Sequence, residues 1–192
     1  MKPTPSQTIG PFYGYALPFA GGGDIRGGDI RGGDIRGGDI ARGGITVHGH
    51  VYDGAGAPVS DALLEFWQAD PSGGLRGAPG TLRRDPVTGA IIGRDGVAFT
   101  GFGRTPTDAD GHWTLRTHTP GNGYISVCLF ARGLLHHLYT RVYLGAEPSG
   151  PLADALTPER RRALAAVEER EGVYRFDIHM QGEKETVFLD FA

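Results

Sequence analysis

The sequence predicts an all-β sandwich with one short excursion helix. Three observations carry this expectation. From Ile45 onward, short runs of β-branched and aromatic residues are separated by turns rich in Asp, Gly and Pro; Tyr174 to Gln181 alternates apolar and polar residues without a break; and a single capped helical segment starts at Thr157. With 192 residues the chain is long enough to bury a core in one domain, and its one cysteine, Cys128, has no partner for an internal disulfide.

Three segments are expected. Residues 1–20 form an N-terminal arm, because Pro3, Pro5, Pro11 and Pro18 each fix φ and bias the preceding residue toward extended backbone. The arm also carries Phe12, Tyr13, Tyr15, Leu17 and Phe19, more aromatic surface than a solvated tail needs, so it is expected to dock on something. Residues 21–44 repeat Gly-Gly-Asp-Ile-Arg with a period of five. That period spirals Ile25, Ile30, Ile35 and Ile40 around a helix and alternates them across a strand, so neither element buries all four together. Paired glycines add backbone entropy, and the segment is read as a surface linker, about 25–30 Å long as a random coil. Residues 45–192 form the sandwich.

Within it, Ile45 to Tyr52 and Ala62 to Trp67 are strands, the first closed by Asp53-Gly54 and the second by Asp70-Pro71-Ser72-Gly73-Gly74. Val97 to Gly103 is a weaker strand. The Asp108-Ala109-Asp110-Gly111 turn leads into His112 to His118, where Trp113 and Leu115 share a face. Ile125 to Ala131 and Leu134 to Leu144 are more continuously apolar, as strands at the centre of a core are. Thr157 as N-cap and Pro158 at the first helical position start the helix; Leu164 and Val167 share its inner face and Gly172 ends it. Tyr174, Phe176, Ile178 and Met180 then face one side of a strand, and Val187, Leu189 and Phe191 make the last one.

Charge and composition narrow the function. The formal charge of -3, with acids and bases interspersed, gives no drive toward a polyanion, and no apolar run reaches the roughly 18 residues a bilayer crossing needs. With a single cysteine and no leader-like N-terminus, a cytoplasmic location is expected. His48-Gly49-His50 puts two imidazoles on one strand face, a pair that also occurs on strands that bind nothing, with no third ligand at diagnostic spacing. His136 and His137 are adjacent and face opposite ways, and Cys128 sits mid-strand as a packed thiol. Taken alone, Arg132 is a solvated strand-end residue, and the spacing of residues yields a sandwich and no activity.

Several segments in order say more. Thr4-Pro5-Ser6-Gln7-Thr8-Ile9-Gly10-Pro11-Phe12-Tyr13, Leu64-Glu65-Phe66-Trp67-Gln68-Ala69-Asp70 and Gly101-Phe102-Gly103-Arg104-Thr105 are followed by Leu129-Phe130-Ala131-Arg132-Gly133, Tyr139-Thr140-Arg141-Val142-Tyr143 and Tyr174-Arg175-Phe176-Asp177-Ile178. Together they resemble the intradiol ring-cleavage dioxygenases, and within them the alpha chains of members that act on protocatechuate. The resemblance spans nearly the whole chain apart from the repeat. It implies a β-sandwich of the intradiol dioxygenase type and a partnership with a homologous beta subunit. It also implies cleavage of the catechol ring by O₂ to 3-carboxy-cis,cis-muconate at a non-haem Fe(III) bound by that partner.

In such enzymes two tyrosines and two histidines of the catalytic chain hold the ferric ion. Compared with that pattern, this sequence has Leu75 at the first tyrosine position, a short Pro120-Gly121-Asn122-Gly123 turn where the second would follow, and Tyr124-Ile125-Ser126 for the His-x-His pair. The resemblance therefore implies no metal and no catalytic residue in this chain. It assigns substrate contacts to Thr8, Gly10, Pro11 and Arg132, the last suited to a substrate carboxylate by its planar fork. Two alternatives stand beside it: an independent dioxygenase with unusual ligands such as His48 and His50, and a non-enzymatic transthyretin-like binding module.

Overall fold

The computed structural model describes residues 13–27, 44–75, 82–94, 99–145 and 147–190. Eleven strands and three short helices occur among them: α1 (Tyr13–Ala16), β1 (Gly44–Tyr52), β2 (Leu63–Gln68), β3 (Leu82–Arg84), β4 (Ile91–Arg94), β5 (Phe102–Pro106), β6 (His112–His118), β7 (Tyr124–Phe130), β8 (Leu138–Tyr143), α2 (Pro151–Asp154), α3 (Pro158–Arg162), β9 (Val167–Arg170), β10 (Val173–Arg175) and β11 (Ile178–His179). One sheet runs β5-β2-β7-β8, all antiparallel. In the other, β1 pairs antiparallel with β6 and parallel with β10 and β11, and β9 lies outside β10.

The two sheets bury alternate side chains against each other. Ile45, Val47 and Val51 of β1, Trp113 and Leu115 of β6, and Phe176 and Ile178 meet Leu64 and Phe66 of β2, Ile125, Val127 and Leu129 of β7, and Val142 of β8. Phe66 and Trp113 pack with ring centroids 5.3 Å apart, an offset contact of the kind aromatic pairs favour. This is the all-β sandwich that the alternation predicts. A smaller cluster of Tyr143, Ala153, Leu164 and Val187 seats the segment after β8 on the outer face of the β5-β2-β7-β8 sheet.

Five local expectations are corrected. The strand expected from Leu134 starts at Leu138, because Gly133 turns the chain at φ 91° and leaves Leu135 exposed. The helix capped by Thr157 ends at Arg162, and Val167 opens strand β9. All four β9 side chains are exposed, so pairing with β10 across the Gly172 turn decides its state. Tyr174 to Met180 divides into β10 and β11: Gly49 lets the Phe176 carbonyl approach where a Cβ would lie 1.9 Å from it, and the Asp177 carboxylate accepts the His50 N–H at 3.0 Å in place of a strand carbonyl. The stretch between β2 and β5 contains the β3–β4 hairpin, whose Asp85 carboxylate accepts the Val87 and Thr88 N–H groups. The final strand reduces to a bridge between Leu189 and Tyr139, with Phe191 outside the described residues.

The largest correction concerns the repeat. Its first copy belongs to the sandwich: Ile25 has 0% exposure and sits in the main core. Gly22 accepts from Arg104 N–H at 2.9 Å on β5, while Gly23 accepts from Arg116 N–H at 2.7 Å on β6 and Ile25 donates to Arg116 at 2.9 Å. A Cβ on Gly22 would fall 2.1 Å from the Arg104 carbonyl oxygen, so glycine is what permits this approach. Ile30, Ile35 and Ile40 lie outside the described residues.

Candidate functional site

Of the four residues expected to touch substrate, Thr8, Gly10 and Pro11 lie outside the described residues, and Arg132 is described. The described end of the arm reaches it. Tyr13 is buried, and its hydroxyl donates to the backbone carbonyl of Asp61. The Asp61 carboxylate accepts from Arg132 Nε at 3.0 Å, and the Arg132 side chain is 79% exposed. An exposed pair of this kind adds only about 0–1 kcal/mol to stability. Its effect is to orient the guanidinium while leaving the two Nη groups without a protein acceptor among the described residues. Burial and the Asp61 charge raise the Tyr13 phenol above its ordinary pKa, partly offset by Arg132, so it donates as a neutral hydroxyl at neutral pH. Further along, Leu17 accepts from Arg104 Nη1 at 3.2 Å, and Arg104 is paired with Glu65. The arm is thus docked from Tyr13 to the first repeat.

The positions that the resemblance compares with iron ligands lie on and beside the outer face of the β5-β2-β7-β8 sheet. Leu75 is 77% exposed. The Pro120–Gly123 turn packs on the Asp70–Gly74 turn so closely that a Cβ on Gly121 would lie 2.4 Å from Gly73 N. Tyr124 carries the Arg141 guanidinium over its ring, with Cζ 4.2 Å from the centroid, and lies beside Tyr143. Ser126 stands in register between Trp67 on β2 and Arg141 on β8. One pair along, burial and the Glu65 charge push the Cys128 thiol up to about 12 against a hydrogen bond with Tyr139 that lowers it. Such a thiol stays protonated and is a packing group.

His48 and His50 share the outer face of the other sheet, as expected, and His112 joins them. His48 Nδ1 lies 3.2 Å from His112 Nε2, and His48 Nε2 lies 3.0 Å from Glu169 Oε2, so both ring nitrogens of His48 have partners. Among the described residues, no group of three or more His, Cys, Asp and Glu is arranged to hold a metal ion. The sequence reading missed His112, whose partnership with His48 depends on the β1–β6 register. An open cleft of about 550 Å³ lies at the end of β1, lined by Tyr52, Asp177, His179, Gln181 and Lys184 among others. Of its three acidic residues, Asp53, Asp177 and Glu183, Asp177 is already bonded to Arg175.

The histidine cluster makes stability depend on pH. Burial and the nearby His50 lower the His112 pKa below its ordinary 6.5, outweighing the raising effect of Asp108. The unfolded chain therefore takes up this proton first as pH falls, and stability declines from about pH 6.5 down to the folded-state pKa, below which the loss is complete. Asp108 and Asp177 have lowered carboxyl pKa values and act at more acid pH, below 3.8. Urea unfolding midpoints from pH 7.5 to 5 will fall in the wild type and fall less in His112→Gln. Parallel curves would reject this assignment.

Comparisons with known proteins agree with the geometry. The family described as Dioxygenase matches residues 29–129. The chain is 36% identical to a Burkholderia cepacia protein named protocatechuate 3,4-dioxygenase alpha chain, over 99% of this chain and 98% of that one. It is also 28% identical to the Burkholderia cepacia protocatechuate 3,4-dioxygenase beta chain, over 74% of this chain and 66% of that one. Among solved structures, the dioxygenase domain of a dioxygenase carbohydrate-binding protein fusion from Streptomyces sp. SirexAA-E covers 94% of this chain, with 99% of its own length, at a TM-score of 0.52 and 28% identity. No described helix is long and apolar enough to cross a membrane. On this sandwich, and on near full-length identity to alpha chains, the chain belongs to the intradiol dioxygenase family.

Proposed function

We propose that the chain serves as the alpha subunit of a cytoplasmic protocatechuate 3,4-dioxygenase of aromatic catabolism, paired with a homologous beta subunit. The pair cleaves protocatechuate with O₂ to 3-carboxy-cis,cis-muconate, a step of the beta-ketoadipate pathway, and Fe(III) is held by the beta subunit. This chain's part is to shape the pocket with Thr8, Gly10, Pro11 and Arg132. The observation that carries the reading is the Tyr13–Asp61–Arg132 junction, where the described end of the arm meets an oriented guanidinium whose two Nη groups have no acceptor among the described residues. A planar fork of this kind engages a benzoic carboxylate through charge-assisted bonds.

The residues of this chain do not fit a ferric ion at the compared positions. Leu75 offers no donor atom, Ser126 is a poor substitute for an imidazole, and the ring of Tyr124 lies beneath the fixed positive charge of Arg141. Similarity to both an alpha and a beta chain supports common ancestry of the two partners. No step of the reaction is assigned to a metal in this chain. The test is to purify the chain alone and co-expressed with a beta chain, and to measure iron and protocatechuate turnover in each. The isolated chain will contain no stoichiometric iron and turn over nothing, and the complex will do both. Iron and activity in the isolated chain would reject the proposal and favour the independent enzyme.

A further inference from the structure

The histidines on the outer face of β1 and β6 are arranged nitrogen to nitrogen. His112 stands opposite His50 in the register and diagonal to His48, and the diagonal pair is the one that meets. His48 Nδ1 lies 3.2 Å from His112 Nε2, with ring centroids 5.4 Å apart and planes tilted by 53°, so the rings point at each other instead of stacking. Two imidazole nitrogens held at about 2.0–2.1 Å from one tetrahedral ion stand about 3.3 Å apart. The observed separation matches that spacing.

The far side of each ring sets what fits between them. His48 Nε2 is 3.0 Å from Glu169 Oε2; an ionised carboxylate only accepts, so the ring hydrogen sits on Nε2 and neutral His48 turns the lone pair of Nδ1 toward His112. His112 Nδ1 faces the Asp108 carboxylate at 3.9 Å, which draws its hydrogen to Nδ1 and leaves the lone pair on Nε2. Two lone pairs then face each other and need a positive centre between them. A hydrogen moved to His112 Nε2 fills the gap and gives up the Asp108 contact; a cation fills it while both carboxylates keep their ring hydrogens. A carboxylate behind each imidazole is also what fixes the tautomer and raises the basicity of ligating histidines. The two histidine side chains are 23% and 32% exposed, so an ion can enter and water can reach it. His50 stands beside the pair with its Nδ1 3.7 Å from Asp177 Oδ1, and no third ligand joins the two among the described residues.

We propose that His48 and His112 form a two-imidazole site for a divalent cation of the nickel and zinc class, oriented by Glu169 and Asp108, with water on the remaining positions. The bound ion ties β1 to β6 and, through Glu169, to β9. Imidazole suits such divalent ions, whereas a ferric ion prefers hard oxygen donors, so this is not the iron of the ring-cleavage reaction and the site stands independently of the subunit assignment.

The test uses the full chain, stripped with EDTA, dialysed and titrated calorimetrically at pH 7.5 with NiCl₂, ZnCl₂ and MgCl₂. Ni²⁺ and Zn²⁺ will each saturate at one ion per chain, and Mg²⁺, which selects oxygen ligands, will give no binding. At a free Ni²⁺ concentration of about 100 times Kd the urea midpoint will rise by about 1 M. His48→Gln and His112→Gln will each remove that rise. Glu169→Gln, which leaves both imidazoles in place, will keep one site and weaken Ni²⁺ by about 10-fold. The double variant His136→Gln with His137→Gln, on the other sheet's side of the chain order, will bind as the wild type does. Should either histidine variant not fold, Glu169→Gln decides. The proposal is overturned by an absence of saturable Ni²⁺ and Zn²⁺ binding, which would leave His48 and His112 a hydrogen-bonded pair only. It is overturned equally by wild-type affinity in the folded His48, His112 or Glu169 variants, or by loss of binding in the His136 and His137 variant.

Discussion

Arg132→Gln, assembled with the beta subunit, will raise KM for protocatechuate by about 10- to 100-fold and leave kcat within a few-fold. One charge-assisted pair to a carboxylate is worth about 1.5–3 kcal/mol, and each 1.4 kcal/mol is a factor of ten. The bond is made equally to bound substrate and transition state, so its loss falls on binding. Catechol, which has no carboxylate, will show the same KM with both proteins, and this contrast separates a carboxylate contact from a general disturbance of the pocket. Asp61→Asn will give a smaller increase of a few-fold, because it frees the orientation of Arg132 and keeps its charge. An unchanged KM in Arg132→Gln would remove Arg132 from the pocket, whatever the fate of the subunit assignment.

Ile25→Ala will lower stability by about 2–5 kcal/mol, the range for truncating a buried isoleucine. With a urea m-value of about 2 kcal/mol/M, the unfolding midpoint drops by about 1–2 M. Leu75→Ala, at an exposed site, will stay within about 0.5 kcal/mol of wild type. A neutral Ile25→Ala would mean that the first repeat contributes nothing to the core. Gly22→Ala will be destabilising for a different reason, since its methyl group meets the Arg104 carbonyl.

This second prediction shows where sequence reading stops. The isoleucines at 25, 30 and 35 each sit in a Gly-Gly-Asp-Ile-Arg copy, so the local pattern does not show that the first of them is buried. Ile25 follows an arm held at Tyr13 and Leu17, contacts made far along the chain. The central strands were legible because one buried face imposes a period of two, visible in β1, β6 and β7. Where no face is buried, as in β9, or where a distant carbonyl and carboxylate divide a strand, as at Phe176 and Asp177, pattern carries no information. The candidate site follows the same division. Arg132 is singled out by a family motif, while the Tyr13 and Asp61 that meet it are partners far apart in the chain.

The first repeat lies across β5 and β6, each the outermost strand of its own sheet on that side. Unpaired outer strands are templates on which a second molecule can add, and here a few residues of glycine-rich chain occupy both templates at once. Any event that peels this segment away, such as proteolysis near Arg26, would leave the protomer open to self-association through two sites instead of one.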